Sequence, residues 1–354
     1  MRIANIERIV SVLCIAISSY ACLSPAQMPP GSSQPIFDFH SGFWINLHHF
    51  LYLEALSEKP QEGPYAARLS EADAAILHGL PPEERSLWNA AVSYYSDSVI
   101  QHDLLFDHNM NAIKNQLEDT EMSPDLAHVD IPDALRAALL KAAPVYRTYF
   151  WPRHDAQNRT WIAHVRRLIE KYGEPMRDCL VRIYETPWPG QPVRVDVTIF
   201  ATQYGAYTAT GPTRPTISTT NPANQGTAAL EIVFHETSHA MIDKVQEAIR
   251  GAEADVNAHI SNGAFHSGTL WHAALFYTAG ELVAERIPGY APYADKNGLW
   301  ARAWHDPDRA LIERDWKPHI SGTVPLSAAI EKLVADVAAG SSQPEHAGTP
   351  PLPH

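Results

Sequence analysis

Cysteine is nearly absent from this chain: three occur in 354 residues, and Cys14 and Cys22 both fall within the first 26. Cys179 alone is left in the body of the chain. A disulfide framework is therefore not expected there; the core should hold the fold, with Cys179 as a small buried apolar residue. Basic runs are missing as well. Lys and Arg never form a block longer than a pair and the net charge is −13, which argues against nucleic acid or an anionic membrane surface as the main partner. No apolar run is long enough to span a bilayer, since Ile9–Ile17 is too short. Charged residues make up only 19% against 45% hydrophobic, the balance of a globular chain with a sizeable core. No internal repeat is detectable.

Residues 1–26 read as a targeting segment. Arg2 and Arg8 precede the short apolar run, and Ser19-Tyr20-Ala21 and Ser24-Pro25-Ala26 each fit a small-residue cleavage site. A secretory signal peptide is expected, making the mature chain periplasmic or secreted, with no transmembrane span. Cys22 follows Ala21, so a lipid anchor there is the alternative, although Ser19 stands where bacterial lipoproteins usually carry Leu.

The rest divides by pattern into a helical region over 27–186, a second region over 187–340 and a disordered polar tail over 341–354. In the first region, Phe43, Leu47, Phe50, Leu51 and Leu53 are spaced for an amphipathic helix. Helices follow within 68–117, with Ser70 and Asp73 as a cap. Another opens near Asp133, and one beginning after Pro152 is expected to end at Gly173. His48 and His49, adjacent in sequence, point to different faces and suit core-edge hydrogen bonding. After Pro187 the pattern changes. Val193 to Phe200 alternates apolar and polar residues, and 204–210 and 216–220 read as further strands. The fold class is therefore mainly α with a small β-sheet (α+β).

Leu230–Asp243 (LEIVFHETSHAMID) follows the strands and carries the H-E-x-x-H motif His235-Glu236-Thr237-Ser238-His239. Thr227–Arg250 contains neither Pro nor Gly, so one helix is expected there, ending at Gly251. On a helix, His235 and His239 fall about 40° apart, one turn above the other. Two imidazoles so placed can bind one Zn²⁺ from the same side, with Glu236 as general base towards a water.

On this motif and the strands before it, Val193–Arg286 resembles the zincin metallopeptidases. The Gly and third His of metzincins do not follow His239, so that subclass is set aside. The third ligand then has to come from the helix over Thr269–Arg286. His272, in LWHAALF, looks like the late His of SprT-like families, and Glu281, in YTAGELVAE, like the downstream Glu of gluzincins. They lie nine residues apart, on opposite faces of an unbroken helix, so both cannot bind one ion. His272 is preferred because a Gly-containing loop beside it allows approach; Glu281 and, on the loop, His266 are the alternatives.

The resemblance implies a zinc metallopeptidase acting on a peptide or protein substrate. His235, His239 and His272 would be the ligands and Glu236 the general base. Tyr207, Tyr277 and His266 are candidates to stabilise an oxyanion, and Asp243 to orient a ligand imidazole. The rival reading is a non-catalytic exported binding protein that keeps a zincin-like frame.

Overall fold

The computed structural model describes residues 35–60, 66–121, 123–260, 264–304 and 306–341. The expected signal peptide, the Cys22 anchor and the tail from 342 lie outside them. Among the described residues, no helix is long and apolar enough to cross a membrane. The protein is mainly helical around one small mixed sheet, as its pattern predicts.

The sheet has the order β1 (Phe37–His40), β2 (Val193–Thr198), β4 (Thr213–Ser218), β3 (Ala206–Thr210). β1 pairs parallel with β2 (Phe37 opposite Val193), β2 parallel with β4 (Asp196 opposite Thr216), and β3 antiparallel with β4 (Thr208 opposite Pro215). β3 is thus an edge strand. β1 was not expected. Its four residues alternate buried and outward side chains, too short a stretch to stand out from the helix that follows.

Six helices fill the chain between β1 and β2: α1 (Phe43–Ser57), α2 (Glu71–Gly79), α3 (Pro82–Tyr94), α4 (His108–Thr120), α5 (Asp133–Tyr149) and α6 (Trp151–Tyr184). A π-helical turn, Tyr95–Val99, extends α3. Ser70 caps α2 by accepting from the Asp73 N–H, as expected. Asp107 accepts from the N–H groups of Asn109 and Met110 and so opens α4.

Two expectations fail in this region. Every residue of α1 from Phe43 to Ala55 is buried, so it is a core helix rather than an amphipathic one. His49 is satisfied at both ring nitrogens inside it, Nδ1 2.9 Å from the Ile45 carbonyl and Nε2 2.9 Å from Tyr207 Oη, whereas His48 Nδ1 lies 2.7 Å from Tyr95 Oη and its Nε2 is buried without a partner among the described residues. In addition, α6 runs through Gly173. A Cβ there would come within 2.8 Å of Ile36 and 2.9 Å of Ile169, so this glycine lets the chain entering β1 pack against the helix rather than ending it.

After the sheet come a 3₁₀ turn (Pro222–Asn224), α7 (Ala228–Ser238), α8 (Asp243–Asn257), α9 (Leu270–Arg286), α10 (Tyr293–Lys296), α11 (Leu299–Ala303), α12 (Asp306–Asp315), α13 (Lys317–Ile320) and α14 (Leu326–Ser341). The single helix expected over Thr227–Arg250 is two, and Gly251 lies inside the second. The break follows from side chains that compete for the helix backbone. Thr237 and Ser238 donate to the carbonyls four residues back, Val233 and Phe234. From His239 to Met241 the backbone bonds shorten to i−3, and Met241 and Ile242 turn into the core.

Two apolar clusters meet at the sheet. One joins Phe37, Phe39, Val195, Val197 and Ile217 to α6, α7 and α9; the other joins Phe200 and Tyr207 to α1, α3 and α5. Cys179 is buried in the first, as expected, but it is disulfide-bonded, which a single cysteine in the body of the chain did not allow for. Its partner lies outside the described residues.

Glu231 ties the chain after α9 to α7. Its Oε2 accepts from Tyr290 Oη at 2.6 Å and from the Tyr293 N–H at 2.9 Å. Gly280 of α9 makes room for it: a Cβ there would stand 2.7 Å from Pro292 Cβ and 3.2 Å from Glu231 Oε1. Gly280→Ala is therefore expected to lower the urea midpoint, although Ala is the better helix former by about 1 kcal/mol; an unchanged or raised midpoint would show that the Pro292 contact yields. Burial raises the Glu231 carboxyl from 4.5 to about 7, against the hydrogen bonds from Tyr290 and Tyr293. Below 4.5 the group is neutral in folded and unfolded chains alike, and its contribution is complete. Between 4.5 and about 7 the unfolded chain ionises first, so stability falls as pH rises. The stability difference between wild type and Glu231→Gln should change in wild type's disfavour across that window, in urea titrations at stepped pH.

Candidate metal centre

His235 and His239 lie where α7 tightens into its last turn, and His272 lies in the first turn of α9. The three imidazoles form a near-regular triangle, with ring centroids 5.1 Å apart for His235–His239, 5.3 Å for His235–His272 and 5.1 Å for His239–His272. One nitrogen from each lies within 4.8 Å of the others, and no other such group of His, Cys, Asp or Glu occurs among the described residues. His235 Nε2 and His272 Nε2 are 3.3 Å apart. Nitrogens bound tetrahedrally to one zinc ion at about 2.0–2.1 Å are themselves about 3.3 Å apart, so this pair fits that ion.

The triangle sits in aromatic surroundings. The Phe276 ring, one turn along α9 from His272, lies 3.7 Å from that of His235. Trp271 stacks on His272 at 5.0 Å and meets His239 edge-on at 5.7 Å. Trp304, just past α11, stands edge-on to His272 at 6.1 Å and donates from Nε1 to Thr269 Oγ1 at 3.0 Å. Burial pushes His235 well below the usual imidazole value, with the neighbouring His239 and His272 adding to the effect, and burial holds His239 at about 4. Both rings are therefore neutral near pH 7, the form that ligates a metal. His235 Nδ1 is buried without a hydrogen-bond partner among the described residues, so Phe276, not a carboxylate or carbonyl, fixes that ring.

Glu236 is buried beside the triangle. Thr208 of β3 reaches it from the sheet, with Oγ1 2.7 Å from Glu236 Oε2 and 3.0 Å from its carbonyl oxygen. Burial raises this carboxyl from 4.5 to about 7, opposed by the Thr208 bond.

The other sequence candidates lie elsewhere. Glu281 pairs with Lys317 at 2.5 Å, off the triangle. Tyr207 is buried on the far side of the sheet against His49. With a period of two along β3, Thr208 rather than Tyr207 is on the face towards α7. Tyr277 follows Phe276 and lies in the field of Glu281 and Glu313. His266 is exposed on the loop before α9, and Asp243 is exposed at the start of α8. Trp304 had no signal in the sequence, because only the fold of the chain after α11 brings it against His272 and Phe276 of α9.

No family model, curated protein or solved structure matches the chain, so the centre is interpreted from its own geometry.

For a zinc ion held by all three imidazoles, loss of one would weaken binding by at least the roughly 10–100-fold seen when a mere supporting partner is lost. His272→Ala is thus expected to strip zinc from the purified protein, and Glu281→Ala to leave it in place, by atomic emission. The opposite pattern would move the third ligand to Glu281.

Proposed function

We propose that this chain is a zinc-dependent hydrolase of the H-E-x-x-H type, a peptidase acting on amide bonds of peptides or proteins. The observation that carries the reading is one carboxyl, Glu236, fixed beside three imidazoles whose ligand nitrogens lie within 4.8 Å of one another, the His235–His272 pair at the 3.3 Å of a tetrahedral ion. His235, His239 and His272 would hold the zinc. When bound, it supplies Lewis acidity, which eases ionisation of a water and polarises a carbonyl.

Proton movement falls to Glu236. A carboxyl at about 7 suits a group that must both accept and return a proton near neutral pH. In the forward step it takes a proton from the attacking water, and in the second it hands that proton to the leaving amine nitrogen. Trp271, Phe276 and Trp304 surround the centre with apolar surface, which strengthens charge interactions inside it. Export to the periplasm or beyond belongs to the same proposal and rests on residues 1–26.

Glu236→Gln is expected to cut hydrolysis of denatured casein by about 10²–10⁴-fold, the usual worth of a general base, while zinc content stays at the wild-type level. Retained hydrolysis would overturn the role of Glu236. Zinc bound by a wild type that hydrolyses no peptide bond would favour the non-catalytic binding protein.

A further inference from the structure

We propose that Thr208 is a positioning residue for Glu236: it anchors Oε2 and thereby leaves Oε1 as the oxygen that exchanges protons. This rests on the hydrolase reading above. Thr208 Oγ1 is within hydrogen-bond distance of both Oε2 (2.7 Å) and the Glu236 carbonyl (3.0 Å). A hydroxyl has one proton to give, and an ionised carboxylate draws it, because charge-assisted bonds are the stronger. Oε1 accepts no hydrogen bond among the described residues.

Thr208 can hold that oxygen because its own place is fixed from both sides. Its strand is bonded to β4 over five residue pairs, from Ala206–Ile217 to Thr210–Thr213. The neighbouring side chain, Tyr207, is buried on the opposite face, where its hydroxyl lies 2.9 Å from His49 Nε2. The hydroxyl acting on Glu236 is therefore mounted on a strand clamped from behind, with no loop between. In the reaction, the water O–H bond breaks and an Oε1–H bond forms, while Oε2 keeps its bond from Thr208. When the proton leaves for the amine, the carboxylate is still aimed. Without the hydroxyl, Glu236 would have a buried, unpaired Oε2 and a free side-chain torsion.

The experiment uses the full chain loaded with Co²⁺, whose visible bands report the ligand set, and acetohydroxamic acid as probe. That acid binds a metal as its anion and would meet Glu236 Oε1 through a hydrogen bond. Thr208→Val, with Thr208→Ala beside it, should keep wild-type Co²⁺ content and bands but weaken acetohydroxamate binding by about tenfold or more, because Oε1 is then no longer held towards the probe. Thr208→Ser should bind within about threefold of wild type. Combining Thr208→Val with Glu236→Gln should add no further loss beyond Glu236→Gln alone. The proposal falls if Thr208→Val binds like wild type, if Thr208→Ser is as weak as Thr208→Val, if the two losses add in full, or if the Val and Ala variants lose or alter the Co²⁺ site. A wild type that takes up no Co²⁺, or a Glu236→Gln variant that binds acetohydroxamate unchanged, would instead overturn the hydrolase reading itself.

Discussion

The face-to-face approach of α7 and α9 is the contact on which the centre depends. Phe276 lies against His235 with 3.7 Å between ring centroids, so the two helix backbones are locked at this level. That contact brings His272, one turn earlier, level with the His235–His239 pair. It also supplies the support that His235 lacks from hydrogen bonding, since its Nδ1 is buried with no partner among the described residues. On the other flank, Gly280 admits Pro292 and Glu231. One helix–helix seam thus carries both the triangle and the chain that leads from α9 into α10.

Burial in aromatic surroundings also sets the electrostatics. Three imidazoles at this spacing could not all be charged, and with no carboxylate among them nothing would compensate the charge. The chain keeps other acids off the triangle: Glu281 is turned to Lys317, and Glu285 beside it faces Arg286. Glu236 is admitted alone, on a donor from the sheet. Neutral imidazoles and a single carboxyl held at about 7 come from the same cause, low polarity around the helix seam.

What could be read in the sequence follows what was local. The period of two over Val193–Thr198, the apolar helix from Leu270 to Arg286 and the H-E-x-x-H spacing are properties of short windows, and each has its counterpart in the structure. Helix periodicity excluded joint ligation by His272 and Glu281, and the Gly-containing loop before α9 favoured His272. The misses are tertiary. α7 ends at Ser238 because two hydroxyls bond backward and Met241 is drawn into the core, with no Pro or Gly to announce it. Gly173 looked like a helix stop but is a packing site for Ile36. Thr208 went unseen because its importance depends on which face of β3 meets α7.

The pairing of β1 with β2 joins residue 37 to residue 193 with six helices between them. During synthesis, at about 5–20 residues per second, the first strand therefore waits roughly ten to thirty seconds for its partner to be made. For that interval its Phe37 and Phe39 have no sheet to join, and α6 has no strand to lie on. The first half of this protein is thus a client before it is a fold: a nascent chain that has to be kept from pairing with its neighbours until the strand that completes it arrives.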